Sequence, residues 1–173
     1  ILLEVSPKMA SDSNVVYTNA PGWFRANNVF LSGYERKDRE KLITTVFEKF
    51  KEKFGYYPQS IGAWHLDAYS LSFIKERYPT VIAGMVVADQ LTTDGYGIWG
   101  QYWGIPFYPA KKNSLMPANN IFNKLDIVLM QWAARDPLNG YRESTYSVQT
   151  GDYERHGVGS NYYEKLIELY TNP

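Results

Sequence analysis

Three aspartates stand where an apolar or strand-like run gives way to polar chain: Asp67 after SIGAWHL, Asp89 after TVIAGMVVA and Asp136 after IVLMQWAAR. Two carboxylates that face each other across a sugar are the usual machinery for cleaving a glycosidic bond, one protonated as acid and the other ionised. Partial burial against aromatic rings raises one carboxylate's pKa and so separates the two roles. Each aspartate also has a plain structural use, Asp67 as a helix N-cap and Asp89 and Asp136 as turn formers. His65, two residues before Asp67, is suited to shuttling a proton, and equally to packing and hydrogen bonding beside Trp64. The second histidine is His156, and no H-x-x-x-H or H-E-x-x-H spacing gathers ligands, so neither a metal nor a cofactor is expected. A serine nucleophile would need a G-x-S-x-G elbow, which is missing, and the glycines of DGYG and GVGS follow no strand-to-helix phosphate pattern.

The rings point the same way as the acids. Aromatic residues make up 16% of the 173, with 15 Tyr and 5 Trp, more than a core of this size needs. Tyr and Trp join a flat apolar face to a polar edge, which suits a surface that stacks on sugar rings and bonds their hydroxyls. In TTDGYGIWGQYWGIPFYP, Tyr96, Trp99, Trp103, Phe107 and Tyr108 lie beside Asp94 and Gln101. This is either a sugar platform or an aromatic minicore that plugs one end of a sheet. The expected partner is an oligosaccharide or polysaccharide, with Trp64, Tyr96, Trp99, Trp103, Tyr108 and Asp136 as its contacts. Nucleic acid and anionic membranes are not expected partners, because Lys+Arg and Asp+Glu both total 18 and no long block of one sign occurs. No apolar run approaches the roughly 20 residues that cross a bilayer. The lack of cysteine removes disulfides, thiolate metal sites and cysteine nucleophiles together.

These side chains need elements to position them. ILLEVS at 1–6 and NVVYT at 14–18 read as short strands. Between Arg36 and Phe54, Ile43, Val46, Phe47, Phe50 and Phe54 recur at helical spacing, with Asp38 able to cap the start and Gly55 the end. SIGAWH at 60–65 reads as extended, Asp67 as the N-cap of a helix over 68–78, and TVIAGMVV at 80–87 as a strand covered on both faces. Pro79 stops that helix. After Asp89 the periodicity is lost in a long ring-rich excursion. DIVLMQWAA at 126–134 returns as a buried strand, STYSVQT at 144–150 as another, and SNYYEKLIELY as a terminal helix with Asn161 and Glu164 in capping-box positions. The order of elements predicts an α/β chain with a parallel sheet, in which ligands meet the carboxyl ends of the strands.

The segment FEKFKEKFGYYPQSI followed by GAWHLDAYSL resembles the glycoside hydrolase and polysaccharide deacetylase superfamily, whose members share an incomplete (β/α)7 barrel. The resemblance is greatest to the branch of retaining α-glucan hydrolases, in which the carboxylate of the G-x-W-x-x-carboxylate motif is the nucleophile. It implies that role for Asp67, although the branch carries Glu there. The deacetylase branch uses an Asp-Asp strand motif and an H-x-x-x-H metal motif, and this sequence has neither. The fold expected is therefore an incomplete or distorted (β/α) barrel with parallel strands and a long aromatic-rich loop. Residues 1–173 would form a single domain, or the C-terminal part of a larger barrel. The function expected is hydrolysis of glycosidic bonds or deacetylation of a polysaccharide, with Asp67 as nucleophile or base, Asp89 as second carboxylate and His65 nearby. The alternative is a non-catalytic glycan-binding or structural remnant of such a barrel.

Overall fold

The computed structural model describes residues 1–18, 26–86, 90–91, 98–99, 105–131, 157 and 159–171. Its centre is a parallel sheet of three strands in the order β1 (Ser60–Gly62), β2 (Ala83–Val86) and β7 (Val128–Gln131). Ile61 lies opposite Gly84, and Gly84 opposite Leu129. The N-terminal segment extends this sheet beside β1: Leu2 bridges Gly62 in parallel, and Leu3 N–H donates to the Gly62 carbonyl at 2.7 Å. ILLEVS is thus sheet-like only around Leu2.

Parallel neighbours need long crossovers, and helices supply them. Ser6 accepts from Met9 N–H at 3.2 Å and Pro7 occupies the first turn, so α1 (Pro7–Asp12) begins where the sequence reading saw only a turn signal. After α1 the chain turns at Asn14, which adopts a left-handed φ of 52°, and NVVYT pairs with no strand among the described residues, so it is not a strand. A single turn, α2 (Ala26–Val29), and a 3₁₀ turn at Leu31–Gly33 lead into α3 (Arg36–Phe54). Asp38 does not cap α3. Glu35 holds the N-cap position without a side-chain bond, and Asp38 pairs with Lys41 one turn on. Gly55 ends the helix at φ 81°, where a side chain would be strained. The helix α4 (Ala68–Arg77) joins β1 to β2, which completes the expected βαβ unit.

The core lies between this sheet and the helices. Leu42, Ile43 and Phe47 of α3 and Leu71 and Ile74 of α4 are buried with Ile61, Val86, Ile127 and Leu129 of the sheet layer. Phe47 stacks on Tyr78 with ring centroids 4.1 Å apart. Phe54, the last residue of the predicted helical stripe, is 51% exposed and packs on Phe50 instead.

The excursion after β2 contains three kinds of pairing. Gln90–Leu91 (β3) pairs with Ile98–Trp99 (β4), and Pro109–Ala110 (β5) pairs antiparallel with Asn113–Pro117 (β6). Phe107 exchanges both backbone hydrogen bonds with Leu129 in an antiparallel bridge, at 3.0 and 2.8 Å, so the neighbour of β7 on that side runs opposite to the sheet. The described strands thus form a parallel sheet of three, bridged at its β7 side by Phe107, and two separate two-stranded pairs, an α/β arrangement. STYSVQT lies outside the described residues. The chain sorts into two compact units, residues 1–89 with 99–132, and residues 90–98 with 133–173. The second contains α5 (Ser160–Thr171). Since α5 already begins at Ser160, Asn161 lies inside it and not at the cap that the capping-box reading needs.

Two glycines mark where backbone and core approach most closely. A Cβ on Gly84 would come within 2.7 Å of Leu129 Cδ2 and 2.9 Å of Leu66 Cδ1, whereas on Gly33 it would meet the Asn27 backbone at 2.5 Å. Side-chain ends can yield and backbone cannot. Gly84→Ala is expected to cost about 1–2 kcal/mol and Gly33→Ala more than about 3 kcal/mol in urea unfolding. The reverse order would show that the 27–33 loop is not the tight contact described here.

Candidate functional site

In a parallel sheet every carboxyl end lies at one edge. Among the described residues, that edge carries Glu4 beyond Leu2 and the stretch Ala63–Asp67 beyond β1. Asp89, Tyr96, Trp103 and Asp136 lie outside the described residues, and Trp99 is described only as backbone in β4. Tyr108 is found in the excursion before β5, 42% exposed, with Lys124 Nζ 4.2 Å from its ring centre. Phe107 beside it is buried in the core, which gives that ring the minicore role. The edge after β1 is where the structure brings predicted site residues together.

Ala63 and Leu66 are buried, while Trp64 and His65 between and beside them are half-buried. The His65 ring tilts against Phe30 at a centroid distance of 5.7 Å. Burial holds the imidazole below the ordinary histidine range, against the opposing pull of the Asp67 carboxylate. His65 is thus neutral at pH 7, with one nitrogen to donate and one to accept.

Asp67 is the N-cap of α4. Its Oδ1 accepts from Ser70 N–H at 2.9 Å and its Oδ2 from the Ser70 hydroxyl at 2.6 Å. Arg39 Nη1 donates to Oδ1 as well, at 3.1 Å, in an ion pair whose side chains are only 17% and 13% exposed. The same guanidinium donates through Nε to the Tyr34 carbonyl at 2.6 Å and through Nη2 to the Ser32 carbonyl at 3.1 Å. Arg39 therefore fastens the 32–34 turn to the start of α4, and Asp67 is the anchor. Tyr34 in turn donates its hydroxyl to the Asn28 carbonyl at 2.8 Å, and Tyr69 donates to Glu40 on α3.

The sequence reading missed Glu4. Two residues past the Leu2–Gly62 bridge the ladder has ended, with Val5 N–H donating to the Val29 carbonyl, and there the Trp64 backbone N–H donates to the Glu4 carboxylate. Burial raises the Glu4 pKa above the ordinary range, with the Trp64 hydrogen bond opposing. Its Oε1 is buried without a hydrogen-bond partner among the described residues. The signal was one acid inside the apolar run ILLEVS, alternating with the buried Leu3 and Val5. No group of three or more His, Cys, Asp or Glu able to hold a metal occurs among the described residues.

The sequence model of a family described as a domain of unknown function with a solved structure, DUF3863, matches residues 16–168. The chain belongs to this family. No curated protein matches this DUF3863 chain. Among solved structures, a protein from Parabacteroides distasonis proposed to be a glycoside hydrolase/deacetylase is similar at 22% identity, with a TM-score of 0.49. The likeness covers 58% of this chain, which spans only 23% of that one.

Two stability measurements check this geometry. Removing the cap and leaving Arg39 without its partner makes Asp67→Ala about 2–3 kcal/mol less stable than wild type in urea, with Asp67→Asn losing about 1 kcal/mol. For Glu4 the sign follows from its raised pKa. Both folded and unfolded states are protonated well below the ordinary glutamate range, and a cost appears as pH rises, because the unfolded carboxyl ionises more readily than the folded one. Glu4→Gln is therefore expected to gain stability over wild type at pH 7 and to lose that advantage near pH 3.5. A difference that stays constant with pH would contradict the burial of this carboxyl.

Proposed function

We propose that this chain is a carbohydrate-active α/β domain, belonging to an incomplete (β/α) barrel, that hydrolyses glycosidic bonds at the carboxyl edge of its sheet. The observation that carries this reading is the pairing of a half-buried indole, Trp64, with a half-buried neutral imidazole, His65, at the edge where parallel sheets bind ligands. Trp64 offers a face for a pyranose, and His65 offers both a donor and an acceptor to a hydroxyl. Trp99, Trp103 and Tyr108 would add sugar contacts, and Asp89, next along the chain after β2, would supply a carboxylate. Asp67 takes the part of an orienting strut in this proposal, because its oxygens already serve Ser70 and Arg39.

That commitment of Asp67 also favours a second reading, a glycan-binding domain without turnover. The two separate in one experiment, in which reducing-end release and binding are measured over a panel of α- and β-linked oligosaccharides. Hydrolysis by wild type, with a KM raised about tenfold in Trp64→Ala and turnover largely kept in Asp67→Asn, is the expected result. Binding that is lost in Trp64→Ala, with no release by wild type, would leave only the binding domain. Absence of both would remove the carbohydrate reading altogether.

A further inference from the structure

We infer that Glu4 is a catalytic acid of this site, the carboxyl that hands its proton to the oxygen of the bond being broken. The inference rests on the glycosidic reading above. Buried polar atoms in folded proteins are nearly always hydrogen-bonded, and an exception asks for a reason. Glu4 Oε1 is one such exception among the described residues, an oxygen of a carboxyl group with capacity to spare as an acceptor and, once protonated, as a donor. None of the ion pairs among the described residues includes Glu4. Nor does it cap a helix: the N-cap of α1 is Ser6.

Its position is the second argument. Glu4 lies two residues past the Leu2–Gly62 bridge, at the carboxyl edge, and the Trp64 N–H fixes one side of the carboxylate. A carboxyl held on one side and unpartnered on the other is oriented, and a substrate oxygen that displaces the groups covering Oε1 would meet its proton. Burial also favours the protonated form, which a general acid must carry at working pH. Asp67, the acid that the sequence pattern favours, is the opposite case, with both oxygens engaged.

The step balances with water as the only co-reactant. The Glu4 proton moves to the glycosidic oxygen as the bond from that oxygen to the anomeric carbon breaks, and the bonding pair leaves with the oxygen. Water then adds its oxygen to the anomeric carbon and gives up one proton, which restores the carboxyl.

The test uses leaving groups that differ in their need for a proton. Wild type, Glu4→Gln and Glu4→Asp are compared, as the full chain, on glycosides of one sugar with either a sugar or 2,4-dinitrophenol as leaving group. Dinitrophenolate departs without protonation. Glu4→Gln is expected to lose about 10²–10⁴-fold on the sugar glycoside, the usual contribution of acid catalysis, and less than about tenfold on the dinitrophenyl glycoside. Equal losses on both would make Glu4 a structural residue and overturn the inference, and so would unchanged rates on both. If Glu4→Gln fails to fold by circular dichroism, Glu4→Asp, which keeps the acid and withdraws it by about 1.5 Å, serves in the same comparison. A wild type silent on every glycoside would overturn this inference together with the glycosidic reading, whereas an active wild type unaffected at Glu4 would remove Glu4 alone.

Discussion

Arg39 lies in the first turn of α3, yet its guanidinium reaches acceptors in two other stretches of chain: the carbonyls of Ser32 and Tyr34, and the carboxylate of Asp67. A planar fork with fixed donor directions can satisfy all three at once, and a flexible ammonium could not hold them in the same geometry. The 26–35 segment consists of two short helical turns and the Trp64–Asp67 corner has no regular structure, and this one side chain ties the two together. With it in place, Phe30 stands against His65 and the α4 N-terminus is capped. The candidate site is therefore built by a helix reaching across to two loops, on top of a sheet that supplies only the platform.

The parts of the fold that were legible in the sequence are those governed by local rules. The βαβ unit from β1 through α4 to β2 followed from an apolar run, an Asp cap and a stopping Pro, and Gly55 announced the end of α3. The parts that were not legible depend on partners distant in sequence. NVVYT has strand composition, but a strand needs a neighbour, and the segment pairs with none among the described residues. Ser6 and Pro7 in fact carried the signal for α1, and the apolar residues around them concealed it. Asp38 and Asn161 sit one to three residues from true helix starts, where a capping residue and a first-turn residue look alike in sequence. Barrel closure is a property of strand number and register, and neither can be read from composition.

The same division applies to the site. Trp64, His65 and Asp67 could be placed together because they are neighbours in the chain. That Asp67 is spent on Ser70 and Arg39 could not, since Arg39 lies 28 residues away and nothing local names it. Glu4 was hidden for the complementary reason. A single acid in an apolar strand looks like an exposed edge residue until the fold shows which neighbour it meets. In both cases the missing information was which residues distant in the chain the fold sets side by side.

Gly84 gives the central strand no side chain on the face where Leu66 and Leu129 meet it. Leu66 separates His65 from Asp67, so the loop that carries the imidazole is seated on β7 through a gap left by a missing methyl. Core and rim thus share a hinge pin: any residue exchanged at 129 changes the seating depth of that loop. Compensating changes at 66, 84 and 129 would be expected to travel together whenever such a chain drifts toward a different ligand.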